Sequence, residues 1–214
     1  MYTLYWDRGN ANMAPHALLI ELAQPYRLAR VDLSKHEQRG PDYLRLNPNA
    51  RVPTMTNGAK VMFEAAAIML FLCENHPDKG LMPAVGDGQR HLFLQWLVYL
   101  TNTVQEEFHR YYHPDYLAAS AAARAEVKTV AERRLDAMFS RIDSGLAEAG
   151  PHLLGERFSA ADIYLVMLCR WARNLNKPAT AYPAIRRLVD LVSARPAWAK
   201  MMAEEGITWD GRSA

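Results

Sequence analysis

The chain has 214 residues, half of them hydrophobic, and a formal net charge of +2. That length and composition bury one large or two modest cores and exclude a disordered chain. The basic pairs Arg133-Arg134 and Arg186-Arg187 are scattered among acids, so no stripe for nucleic acid forms. No run approaches the roughly 18 apolar residues of a membrane span, and the N-terminus lacks the layout of a signal peptide, so a soluble, cytoplasmic protein is expected.

Tyr2-Thr3-Leu4-Tyr5-Trp6 reads as a short strand, broken by the turn Asp7-Arg8-Gly9-Asn10. A helix is predicted from near Asn12, with Ala17, Leu18, Ile20, Leu22 and Ala23 at helical spacing and Pro15 tolerated in the first turn. Tyr26–Val31 makes a second strand, completing a right-handed βαβ unit. A short helix from Gly40-Pro41-Asp42 ends near Leu46, before the Asn47-Pro48 break. Pro53 cannot donate to a strand ladder, so Val52-Pro53 marks a strand start, a bulge or a cis peptide; a cis bond would turn the Val52 backbone toward solvent. Asn57-Gly58 then signals a hairpin joining Thr54–Thr56 to Lys60–Phe63. A helix opens directly after it at Glu64 and runs to Glu74. Its unpaired N–H groups make a seat for a small carboxylate.

Residues 1–76 thus read βαβαββα, the thioredoxin-like order, and 77–87 read as a linker. From 88 to 214 the pattern is all helical: Gln89 to about Tyr112, Ala121 to Leu146, a helix opening at Ser159 and running to about Trp171, then roughly 182–193 and Pro196–Glu204. Phe158-Ser159-Ala160-Ala161-Asp162-Ile163 carries a capping box, with Ser159 and Asp162 exchanging hydrogen bonds and Phe158 stapled onto Ile163. Cys73 and Cys169 lie far apart in helical apolar patterns and are expected to be reduced and buried.

Val52-Pro53, the hairpin and the acidic helix start at Glu64-Ala65 resemble the glutathione-binding half of the glutathione S-transferase family. Leu154-Gly155-x-x-Phe158-Ser159-x-Ala161-Asp162 and Arg195-Pro196 resemble its helical second domain. The resemblance covers nearly the whole chain and is nearest to bacterial beta-class members. It implies a thioredoxin-like domain that binds glutathione and an all-α domain that contributes the electrophile pocket.

Carried over residue by residue, the resemblance implies that Glu64 meets the γ-glutamyl amino group and the Ala65 N–H its carboxylate. Val52, exposed by a cis Pro53, would pair with the cysteinyl moiety, and Lys35 would take the glycyl carboxylate. Tyr99, Phe108, Tyr111, Tyr112 and Trp171 would wall the pocket for a small hydrophobic electrophile. The chain departs from the pattern at Ala11, which stands where beta-class members have cysteine, so no mixed disulfide with glutathione can form there. Asn12 is then the first candidate to donate to the thiolate, with Asn10 second and Tyr5 third; the plain alternative for Asn12 is a helix cap. Gln105 and Glu106 stand where beta-class members have His-Lys; Gln105 could still donate to glutathione.

The implied activity is addition of the glutathione thiolate to a small electrophile, or reduction of a peroxide or disulfide, by a homodimer. The alternative is a non-catalytic glutathione-binding, ligand-binding or scaffold protein of the same fold. Glu106, His109 and His113 share a helical face, but no fourth ligand stands out, and no metal is expected.

Overall fold

The computed structural model describes residues Met1–Gly211. They form two compact units, one from Met1–Met82 with the segment from Ser193 onward, the other Pro83–Val192. The C-terminal helix, grouped by sequence pattern with residues 88–214, thus belongs to the first unit.

In the first unit, β1 (Tyr2–Trp6), β2 (Tyr26–Arg30), β3 (Thr54–Asn57) and β4 (Lys60–Phe63) form a sheet of order β2-β1-β3-β4. β1 runs parallel to β2, pairing Leu4 with Leu28, and antiparallel to β3, pairing Leu4 with Met55. The parallel pair is bridged by α1 (Met13–Glu21), and the β3–β4 hairpin turns at Asn57-Gly58, where Gly58 takes φ +60°. Strand alternation sends Tyr2, Leu4 and Trp6 into the core. Tyr5 points to the opposite face, where its ring meets Tyr43 of α2 (Pro41–Leu44) edge-on at 6.0 Å. α3 (Ala65–Asn75) buries Ala65, Ile68, Met69, Leu72 and Cys73, the i, i+3, i+4, i+7 stripe of an amphipathic helix.

The second unit holds α4 (Arg90–Tyr99), α5 (Glu106–Tyr112), α6 (Ala121–Ala149), α7 (Ala160–Trp171) and nearly all of α8 (Pro183–Ser193). The single helix predicted over Gln89–Tyr112 is divided: Leu100–Gln105 is a π-helical segment between α4 and α5. Such wide turns are rare and recur at functional sites, and neither composition nor apolar spacing distinguishes one from α-helix. α7 is buried along its whole length from Ala160 to Arg170, which is why its sequence shows so little polar alternation. The capping box at its start forms, with the Asp162 carboxylate accepting from the Ser159 N–H at 2.7 Å and the Leu153 N–H at 2.8 Å. Burial pushes the Asp162 carboxyl up, against the lowering effect of those donors.

The last helix, α9 (Pro196–Glu205), returns to the first unit and packs on α1. Arg195, its N-cap, grips Glu21 at the C-terminal end of α1 through two bonds of 2.6 and 2.9 Å. At the other end, Glu204 and Glu205 meet His16 near the start of α1, so the two helices run antiparallel.

Candidate functional site

The candidate residues of the first unit lie on three segments: the turn into α1, the loop into β3, and the start of α3. In the loop, the Val52-Pro53 peptide is cis, one of the three readings the sequence left open. The loop is braced from below. Tyr43 donates its hydroxyl to the Arg51 carbonyl at 2.6 Å, and the Asn47 amide donates to the same oxygen at 2.8 Å. Buried Thr54 holds both braces, its hydroxyl lying 2.9 Å from the Tyr43 hydroxyl and 3.2 Å from the Asn47 amide. Among the described residues nothing pairs with the Val52 N–H or C=O. A half-buried residue with both backbone groups idle next to a rigid brace offers a free edge to an extended ligand.

At the start of α3, Glu64 is exposed and adopts φ 73°, ψ 111°, outside the basins that a residue with a Cβ prefers. Conformations of this kind cost about 1–3 kcal/mol and cluster where function requires a particular presentation. Its carbonyl accepts from the Ile68 N–H at 2.9 Å while no described residue pairs with its carboxylate. A carboxylate to receive a cation and the helix-start N–H groups of Ala65 and its neighbours to receive an anion therefore sit one residue apart. That combination matches an amino acid head group, with its ammonium and carboxylate on one carbon.

The turn into α1 differs from the sequence expectation at its central residue. Asn12 is fully buried, and its side chain caps no N–H further along α1. Its Oδ1 accepts from the Asp7 N–H at 3.2 Å, and its Nδ2 donates to Glu205 Oε1 at 2.8 Å. The first candidate for thiolate donor is thus a strut inside the fold, because a buried carboxylate from the far end of the chain claims its amide. Asn10 is half-exposed; it donates to the Arg8 carbonyl at 3.2 Å and keeps a second amide hydrogen and its oxygen for a ligand. Tyr5 lies on the sheet face against Tyr43. Lys35 is 72% exposed and 3.7 Å from Asp32, a surface pair of little energetic weight.

Neither Glu205 nor His16 carries a local signature in the sequence. Glu205 Oε2 accepts from the Gly9 N–H at 3.0 Å, and its Oε1 lies 3.1 Å from His16 Nδ1. His16 Nε2 is 2.9 Å from Glu204 Oε2, which also accepts from the Tyr26 hydroxyl at 2.5 Å. Burial works to raise the Glu204 carboxyl, but the Tyr26 and His16 hydrogen bonds hold it below the usual carboxylate range. His16 reads locally as one polar residue on an apolar helix, and its partners are more than 180 positions away.

The second unit holds the remaining predicted residues. Gln105 ends the π segment and its side-chain oxygen accepts from the Tyr164 hydroxyl, leaving the amide N–H₂ to donate. Glu106 lies 3.5 Å from Arg110. Phe108, expected at a pocket wall, is fully buried instead, meeting Phe139 and Trp171 edge-on at 6.1 and 5.9 Å. Tyr111 is also buried, whereas Tyr112 is exposed at its rim and donates its hydroxyl to the Trp171 carbonyl. Tyr99 is half-buried and accepts from Arg141 at 3.1 Å. Every one of these aromatics has the same apolar signature in sequence, and only packing separates core from rim. No group of three or more metal-ligating side chains occurs among the described residues.

Comparison with known proteins finds relatives for both units. Residues 1–74 match the glutathione S-transferase N-terminal domain and residues 114–200 the glutathione S-transferase C-terminal domain. The chain is 26% identical to the glutathione S-transferase GstA of Escherichia coli O157:H7 over 206 residues, 95% of this chain and 98% of that protein. It is 31% identical to the GST-like protein YncG of Escherichia coli K12, over 72% of this chain and 74% of that one. Among solved structures, a glutathione transferase homologue from Sulfitobacter with bound glutathione superposes with a TM-score of 0.88 at 28% identity, covering 95% of this chain and 98% of that one. With both domains matched in order and the thioredoxin-like sheet and helical unit in place, the chain belongs to the glutathione S-transferase family.

Proposed function

We propose that the first unit binds glutathione and promotes its thiolate for attack on a small hydrophobic electrophile, or for reduction of a peroxide or disulfide. The observation that carries the reading is the pairing of idle Val52 backbone groups with the unpaired Glu64 carboxylate at the start of α3. The γ-glutamyl ammonium goes to Glu64 and its carboxylate to the Ala65 N–H, while the cysteinyl amide pairs with Val52 beside Pro53. The solved homologue with bound glutathione supports the choice of ligand.

In this reading the sulfur lies toward the turn Gly9–Asn12. The thiol gives its proton to solvent, and the start of α1 favours the anion through its N–H groups and partial positive charge. Ala11 offers no sulfur, so the chemistry starts from the bound thiolate. In the addition reaction, sulfur forms the new bond to carbon and the electrophile releases its leaving group or takes a proton. In reduction, sulfur attacks the O–O or S–S bond and the far atom leaves and takes a proton; a second glutathione thiolate from solution then attacks the resulting sulfenic acid or mixed disulfide, giving glutathione disulfide and releasing water or the second thiol. With Asn12 buried, Asn10 is the side chain that donates to sulfur. In the same reading the protein works in the cytoplasm as a homodimer.

Calorimetric titration with glutathione tests the binding. Wild type should saturate at millimolar glutathione or below, and Glu64→Ala should weaken binding about 10-fold or more, since a hydrogen bond between charged groups contributes roughly 1.5–3 kcal/mol. Absence of saturable binding by wild type would sink the reading. A second reading, a ligand-binding protein without turnover, is favoured by the withdrawal of Asn12 into the Glu205 network. It prevails if glutathione binds but panels of electrophiles, peroxides and disulfides all fail to react.

A further inference from the structure

Two fully buried ionisable groups of the first unit, His16 and Glu205, lie beneath the turn. His16 is fully enclosed, with Glu205 Oε1 at 3.1 Å from one ring nitrogen and Glu204 Oε2 at 2.9 Å from the other. Ionised carboxylates only accept hydrogen bonds, so the ring satisfies both when each nitrogen carries a hydrogen. In that state a positive ring lies between two negative groups. Glu205 is also fully enclosed, and its remaining bonds go to the Gly9 N–H and the Asn12 amide. The ring is therefore one carboxylate away from the turn.

A buried carboxylate at that place works against a thiolate, because like charges in a poorly screened interior repel over several ångströms. Among the described residues, His16 is the ionisable side chain in direct contact with Glu205. From the end of β1, Asp7 is paired with Arg30 at 3.2 Å. From β2, the Tyr26 hydroxyl is bound to Glu204, and its ring meets the His16 ring edge-on at 5.5 Å. From α9, Lys200 lies 3.7 Å from Glu204. Glu21 and Arg195 close on each other at the far end of α1. Arg8 borders Gly206, where a Cβ would come within 3.8 Å of its guanidinium. Glu204 also lines an open groove of about 620 Å³ with Gln24, Pro25, Tyr26, Leu28 and Lys200.

We propose that His16, clamped between Glu204 and Glu205, is the counter-charge that allows a thiolate to form at the Gly9–Asn12 turn, with Glu205 transmitting its effect. His16 and Glu205 are positioning residues in this scheme: neither touches the ligand. The inference rests on the glutathione reading above.

The test titrates the ultraviolet absorbance of the bound glutathione thiolate in the full chain, for wild type, His16→Gln, Glu205→Gln and the double variant. Affinity and thermal midpoint are measured alongside. Charge balance demands opposite signs. His16→Gln removes a positive charge and should raise the thiol pKa by about one unit; Glu205→Gln removes a negative charge and should lower it by a similar amount. The double variant should return close to wild type. A purely structural network would move both single variants the same way and the double furthest, and that result, or no shift in either, overturns the proposal. Ring-nitrogen chemical shifts of His16 in the glutathione complex provide a reading that needs no variant. Both nitrogens should be protonated at the pH where the thiolate forms, and a neutral ring there overturns the proposal. Wild type that fails to bind glutathione defeats the functional reading as well, whereas binding with same-sign shifts defeats only the role of His16.

Discussion

Ala11, in the turn before α1, carries no thiol. Without a thiol in the turn, no protein sulfur is available there, and the two cysteines elsewhere do not replace it. Cys73 is buried and its thiol is pushed up to about 12 by burial first and by Glu74 second; burial also pushes Cys169 well above the ordinary thiol range. Thiolate is the reactive form, so both should resist alkylation in the native protein at neutral pH. Mass spectrometry after iodoacetamide treatment should find no adduct until denaturant is added, and then two; a native adduct would contradict this. Glu64 illustrates the opposite case, in which an unfavourable backbone conformation is retained. Glu64→Gly should relieve it and raise stability or leave it unchanged while glutathione affinity falls, because the carboxylate is lost. Thermal denaturation and calorimetry on one preparation separate the two effects.

Among the elements, α7 and α9 depend on single side chains at their ends. The Asp162 carboxylate holds the Ser159 and Leu153 N–H groups inside the helical unit. Asp162→Ala leaves both donors buried without partners, a loss of about 3 kcal/mol that chemical denaturation should register as a lower midpoint with unchanged slope. On α9, the bidentate Arg195–Glu21 pair is partly exposed, with Arg195 38% and Glu21 13% accessible. Arg195→Ala is therefore expected to cost no more than about 1–2 kcal/mol, less than Asp162→Ala, despite its two short bonds. A larger loss would mean that the attachment of α9 to α1 rests on this pair more than on the apolar face carrying Ala197, Trp198 and Met201.

For the molecule as a whole, glutathione binding and folding are linked. A ligand that binds only the native state adds about 2.7 kcal/mol at a hundred times its dissociation constant. Thermal melts should therefore shift upward with glutathione concentration in wild type, and the shift should be much reduced in Glu64→Ala. Equal shifts in both would mean that the ligand is held elsewhere.

The order of elements, the Val52-Pro53 loop, the acidic start of α3 and the capping box at Ser159 were all legible in the chain, because each depends on residues within a few positions of one another. Proline at 53 limits the backbone choices, Asn57-Gly58 specifies a tight turn, and Asp162 reaches Ser159 within one helical turn. The fate of Asn12 was not legible. Locally it is as good a donor as any amide, and its orientation is decided by Glu205, brought beside it when α9 returns to the first unit. His16 is equally ambiguous alone and becomes a buried, doubly bonded ring through the same return. The aromatics of α5 followed this rule too: Phe108 and Tyr112 share one apolar helical pattern, and only the approach of α6 and α7 encloses the first and leaves the second at the rim. Short-range stereochemistry writes itself into adjacent residues, whereas burial and charge pairing depend on which distant segments come to lie alongside.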